Sequence, residues 1–212
     1  MSPGSGARWR RWARPVTALV TAVFLVLPSL ARLRSLAAGT VSQDPTDIAF
    51  FANRGLGALH IVAGLTMVAA LPLQHSAGLR QRRPRLHRWA GWSFVVSATL
   101  VSLSALQIDR RFAHLGGLSK RLTLNCMALA ELVAVSLAMV AIARGRVAVH
   151  QRWMLRASGI ALAGGAAGLF AVPLFLAGFG PEAVSSVARP AGLLLAMAAV
   201  ELRLRGGAVR AA

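Results

Sequence analysis

The amino-acid sequence predicts an all-α protein, an integral membrane bundle of five or six transmembrane helices. Composition is the first reason. Hydrophobic residues make up 56% of the 212 and charged residues 14%, against about 25% charge in a soluble globular chain, and the mean hydropathy is +0.61. The second reason is run length: apolar stretches of roughly 18 to 23 residues recur, enough to cross the hydrocarbon core of a bilayer. Charge placement is the third. Lys and Arg number 24 against 6 Asp and Glu, a formal +18, and Lys120 is the only lysine. The arginines stand in short runs between apolar segments, where topology signals and lipid-headgroup contacts belong. That pattern points to a membrane surface as the partner and not to nucleic acid.

The first apolar run covers 15–31, behind Arg8, Arg10, Arg11 and Arg14. It reads as a retained helix, with a signal peptide ending near Ser35-Leu36-Ala37 as the alternative. A polar loop with Asp44, Pro45 and Asp47 follows. The second run covers 55–73, the third 89–108, the fourth 122–143 and the fifth 157–179. The sixth, 190–200, is bracketed by Arg189 and Glu201 and reads as a short span or an interfacial segment. Connections of at most about twenty residues leave no room for a soluble domain. The chain therefore divides into a basic N-terminus (1–14), one transmembrane domain (15–204) and a basic tail (205–212).

With the N-terminus in the cytoplasm and six spans, sixteen basic residues fall on the cytoplasmic side and eight on the other. This is the bias of the positive-inside rule. Trp9, Trp12, Trp89, Trp92 and Trp153 fall on the cytoplasmic side too, where amphipathic rings suit the headgroup layer. The expected location is a bacterial inner membrane, the bacterial source being read from abundant Arg and Ala beside a single Lys. Partners expected on this reading are the bilayer, anionic headgroups on the cytoplasmic side and other membrane proteins. Cys126, the only cysteine, lies in an apolar run and excludes intramolecular disulfides and cysteine-ligated metal clusters. Ala157, Ala161, Gly164 and Gly168 form a small-residue face that lets helices approach closely.

The residues that could carry chemistry are histidines and one intramembrane acid. His87 and His150 stand at the cytoplasmic ends of the third and fifth runs, where two imidazoles could ligate the iron of a haem b, with Arg88 and Arg152 at its propionates. The small-residue face running outward from His150 would leave room for the macrocycle. The plainer reading is that these histidines and arginines mark the headgroup boundary. His60 lies inside the second run, flanked by the space at Gly57 and Gly64, and Glu131 lies near the middle of the fourth. Ionisable groups at such depth are functional candidates, and a carboxyl there is expected to be protonated or paired. His60 cannot easily join the other pair, because its helix runs about fourteen residues further, roughly 20 Å. Its partner is therefore expected to be His114, Glu131 or a ligand. Asn125 reads as helix-packing glue, and His75 and His114 as loop residues. No P-loop, nucleotide-binding glycine pattern, serine elbow or zinc-protease motif assigns a reaction.

Three elements together resemble a bacterial family of multi-span membrane proteins of unknown function. They are His60-Ile61-Val62-Ala63-Gly64, Leu86-His87-Arg88-Trp89-Ala90-Gly91 and His150-Gln151-Arg152-Trp153-Met154-Leu155-Arg156. The resemblance covers about residues 55 to 175 and implies a helical membrane bundle. The arrangement is also loosely similar to bis-histidine b-type cytochromes, which implies His87 and His150 as the ligands of one haem. A second haem would have His60 but no histidine opposite it. Three functions are thus in play: a haem-binding electron carrier, a small-solute or proton-linked transporter or accessory subunit using His60 and Glu131, and an assembly partner of a membrane complex. The second predicts a polar cavity between the second and fourth runs.

Overall fold

The structure, a computed structural model, describes residues 20, 22–40, 45–111 and 117–206. A π-helical stretch, Ala22–Val26, leads into α1 (Leu27–Ala38), which stops where Gly39 turns left-handed at φ 71°. Then come α2 (Pro45–Ala52), α3 (Arg54–Gln74), α4 (Ala77–Arg82), α5 (Pro84–Arg111), α6 (Gly117–Ala143), α7 (Val147–Leu176) and α8 (Pro181–Arg205). Local chemistry sets these boundaries. Ser76 caps α4 by accepting from the Leu79 N–H at 3.2 Å. Pro84 and Pro181 each stand at the first position of their helix, where the missing N–H costs nothing. Gly145, at φ 69°, turns the chain from α6 into α7.

Five helices, α3 and α5 to α8, are long and apolar enough to cross a membrane. The weak sixth run belongs to α8, which extends through both of its bracketing charges and reaches 25 residues. Its charges are accommodated without shortening it. Glu201 pairs with Arg156 of α7, at 2.7 Å, and Arg189 lines a cavity among the helices. Only the later part of the first apolar run lies among the described residues; the basic stretch 1–14 and His114 lie outside them.

The spanning helices alternate in direction, and polar contacts tie them at both ends. At one end Gln74 Nε2 donates to the His87 carbonyl at 2.8 Å. At the other, Asn125 Nδ2 of α6 donates to Asp109 of α5 at 2.9 Å, the inter-helix role expected of it. Pro190 cannot donate to the Ser186 carbonyl one turn back, and Ser119 Oγ of α6 donates to that carbonyl instead, at 2.8 Å. The arginine-rich α4 region, the α6–α7 turn and the end of α8 gather at one end of the bundle, with Trp89, Trp92 and Trp153.

Side chains small enough for close packing fill the core. Ala98, Ala138 and Ala157 are all 0% exposed around the single large ring of Phe94. α7 and α8 approach closely, so that a Cβ on Gly192 would run into the Ala167 backbone and stand 2.8 Å from the Ala163 carbonyl oxygen. Leu176, Leu194 and Trp89, 84%, 70% and 74% exposed, face outward as a membrane requires.

Candidate functional site

A half-open cavity of about 370 Å³ lies among the helices, and both His60 and Glu131 line it. His60 projects from the first third of α3. Of its two flanking glycines, Gly57 is covered by the Phe50 ring, whereas Gly64 lines the cavity with only Val101 near, 3.9 Å from where its Cβ would be. The imidazole has a defined tautomer. Ser104 Oγ has one proton, spent on the carbonyls of its own helix at 2.6 and 3.0 Å. It therefore accepts from His60 Nδ1–H at 2.9 Å, which leaves Nε2 with its lone pair. Phe50 meets the His60 ring edge-on, with centroids 6.4 Å apart, and carries the Arg32 guanidinium 5.0 Å above its face.

Glu131 enters from the middle of α6. It is 4% exposed, and among the described residues neither carboxyl oxygen has a hydrogen-bond partner. Groups so buried are nearly always satisfied, so two orphaned oxygens on a residue that lines the cavity are the most unusual feature of the interior. Arg189 of α8 lines the same cavity, its Nε enclosed and without a partner among the described residues. Asp109 and Lys120 complete the polar lining near the ends of α5 and α6, with Asp109 held by Arg121 and Asn125. Between Glu131 and these end groups the wall is apolar, from Met67, Val101, Met127 and Ile160. Sequence reasoning placed Arg189 as a flank of the sixth run and did not bring it inward. A cation midway between two apolar turns of one helix was the available signal.

The second candidate pair lies at the basic end. His150 Nδ1 donates to the Ala138 carbonyl of α6 at 2.9 Å, so its Nε2 holds the lone pair. His87 Nδ1 is enclosed and has no partner among the described residues, and His150 is near enough for the two rings to interact electrostatically. Arg88 is exposed, in a surface groove with Arg85, Trp89 and Trp92; Arg152 is exposed as well. The small-residue face beyond His150 is closed at Ala157, which is sealed in the core, and at Gly168, which receives Phe24 from the N-terminal helical segment, whereas Ala161 and Gly164 line the cavity.

His75, expected as a loop residue, is a structural contact. Ser158 Oγ of α7 spends its proton on the Met154 carbonyl at 2.7 Å and accepts from His75 Nε2–H at 2.8 Å. The residue keeps an exposed edge, yet burial of its ring, helped by the charges of Arg203 and His87, pushes its pKa down to about 4. Three histidines thus meet at this end, where the sequence suggested two.

Comparison with known proteins agrees with the membrane architecture. The family model described as Predicted membrane protein (DUF2306) matches residues 57–202, a stretch that holds His60, His87, Glu131, His150 and Arg189. No curated protein and no solved structure matches the chain. The fold and the extent of that match agree: the chain belongs to this family of predicted membrane proteins, DUF2306.

Proposed function

We propose that this protein binds a small solute within the membrane, as a proton-linked transporter or the binding subunit of a larger assembly, and that His60 and Glu131 are its working groups. One observation carries the reading: Glu131 and His60 line a single cavity, and neither carboxyl oxygen of Glu131 has a partner among the described residues. An unpartnered carboxylate in so dry a place is costly, so the group needs either a proton or a ligand. Proton and ligand are then linked through one side chain, and His60 Nε2 supplies an acceptor beside it. Met67 and Ile160 belong both to the cavity wall and to the core cluster, so passage toward the basic end requires α3 and α7 to shift.

Native mass spectrometry on protein released from its own membranes tests this. A small-molecule adduct at one per chain is expected, and Gly64→Leu, which fills the cavity from a position with room for a side chain, removes it. An adduct-free wild type, or one indifferent to the filler, overturns the reading.

A second reading is favoured by the histidine geometry at the basic end. His150, anchored through Nδ1 to a backbone carbonyl, has the arrangement metal-ligating histidines use, with Nε2 free. With His87 it would hold a haem b, the iron supplying one-electron chemistry, while Arg88 and Arg152 are the basic residues available to propionates. A reduced-minus-oxidised spectrum with a pyridine haemochrome assay decides. A colourless protein from haem-supplied cells removes this reading and leaves the cavity one untouched.

A further inference from the structure

Resting on the cavity reading, we propose that the ligand is a small amphiphile with an anionic head, a carboxylate or a phosphate, which pairs with Arg189 while its apolar body lies toward Glu131. Arg189 is half-buried, its Nε is enclosed and has no partner among the described residues, and none of the ion pairs among them supplies it a carboxylate. Arg32 stands close enough for the two like charges to act on each other, and Lys120 lines the same end. Asp109, the one acid lining that end of the cavity among the described residues, is engaged by Arg121 and Asn125. A guanidinium whose enclosed Nε goes unpaired calls for an anion, and its planar fork suits carboxylate or phosphate oxygens.

The rest of the cavity fits the other half of the ligand. From Lys120 to Glu131 the helix rises about 16 Å, and between them lie Met67, Met127, Val101 and Ile160. Methionines adapt to irregular apolar shapes. At about 370 Å³ the space is near the lower end of ligand pockets, roughly 300–1,000 Å³, which suits one short chain or ring and excludes a two-tailed lipid body.

Proton linkage then acquires a sign. The charged or titratable groups lining the cavity are Arg32 on α1, His60 on α3, Asp109 on α5, Lys120 and Glu131 on α6 and Arg189 on α8; α7 contributes none. A bound anion favours neutral Glu131 and protonated His60, so anion and proton bind together and affinity rises as pH falls.

The experiment is photolabelling of the full chain in nanodiscs with a diazirine-bearing decanoate, read by peptide mapping. Saturable labelling is expected on α3, α6 and α8 around the cavity. Decanoate or decyl phosphate compete and decanol does not; the stronger competitor tells a fatty-acid source from a phosphate-ester one. Arg189→Gln weakens competition about ten- to a hundredfold, the worth of a hydrogen bond to a charged group, and Arg189→Lys restores part of it. Glu131→Gln flattens the pH dependence. Labelling confined to the outer surface overturns the proposal whatever the variants do. Equal competition by decanol, or indifference to Arg189→Gln, also overturns it. If decyltrimethylammonium competes through Glu131 instead, the anion falls and the cavity reading stands; if no probe labels the cavity, both fall.

Discussion

Glu131, enclosed by the bundle, and His75, whose ring is partly covered at its edge, are ionisable groups that make opposite demands on stability. Glu131 receives no hydrogen bond from the described residues, so the fold carries its desolvation without return. Glu131→Met, close in shape and free of the carboxyl, is expected to stabilise the protein by about 1–3 kcal/mol and raise its melting temperature in detergent, while removing ligand and proton linkage. A less stable variant would mean that Glu131 has a partner in the folded state. His75 is the reverse case, since it is bonded to Ser158. Its pKa is pushed from 6.5 to about 4, so an unfolded chain takes up a proton on this group before the folded one does. Its contribution to stability is therefore present above pH 6.5 and is lost as the pH falls toward 4. Melting curves over that window should fall less steeply for His75→Gln than for wild type; parallel curves would refute the assignment. The sequence made Glu131 conspicuous, because an acid inside an apolar run has few bland explanations. Nothing marked His75, whose significance lies in Ser158, 83 positions away.

Helices are where the sequence was most informative, and where it failed the reason is which way a side chain points. Hydropathy located α3 and α5 to α7 because, Glu131 of α6 apart, their charges stand toward the ends. In α8 the charges Arg189 and Glu201 stand inside the helix, one turned to a cavity and one paired across to α7, and a one-dimensional profile reads both as boundaries. Small residues were legible in part. Gly164 and Gly168 do meet a helical segment, receiving Leu25 and Phe24 of the N-terminal stretch, while the close approach of backbones at Gly192 was announced by no motif. Gly192→Ala must push α8 from the Ala163 carbonyl, and is expected to cost about 1–3 kcal/mol. Gly164→Ala, whose new methyl meets only the flexible end of Leu25 at 3.4 Å, should cost far less. Thermal unfolding of the two variants side by side gives the contrast, and equal losses would show that α7 and α8 do not meet as described.

At the scale of the whole molecule, the bundle holds two sets of ionisable groups at different depths, with the core cluster between them. His60 and His75 are fifteen positions apart on one continuous run of helix, a rise of about 22 Å, and Met67, Ala70 and Leu71 fill the interval. The sequence conveyed this separation through residue spacing along α3. It offered Glu131 as a partner for His60 but could not convey that Arg189 lines the same cavity, because that depends on how the helices rotate about their own axes. If the cavity and the histidine cluster are independent sites, changes in them add. Gly64→Leu alters the cavity without reaching the basic end, and His150→Ala removes the bond to the Ala138 carbonyl without reaching the cavity. The double variant should then match the sum of the single variants within about 0.5 kcal/mol, and each single variant should leave the other site's readout, adduct or absorption spectrum, at its wild-type value. A larger coupling term would instead mean that the intervening core has two arrangements and that occupancy at one end biases the other. That is the behaviour a transporter needs and a static binding subunit does not, so the same cycle that tests independence also chooses between those two forms of the proposed function.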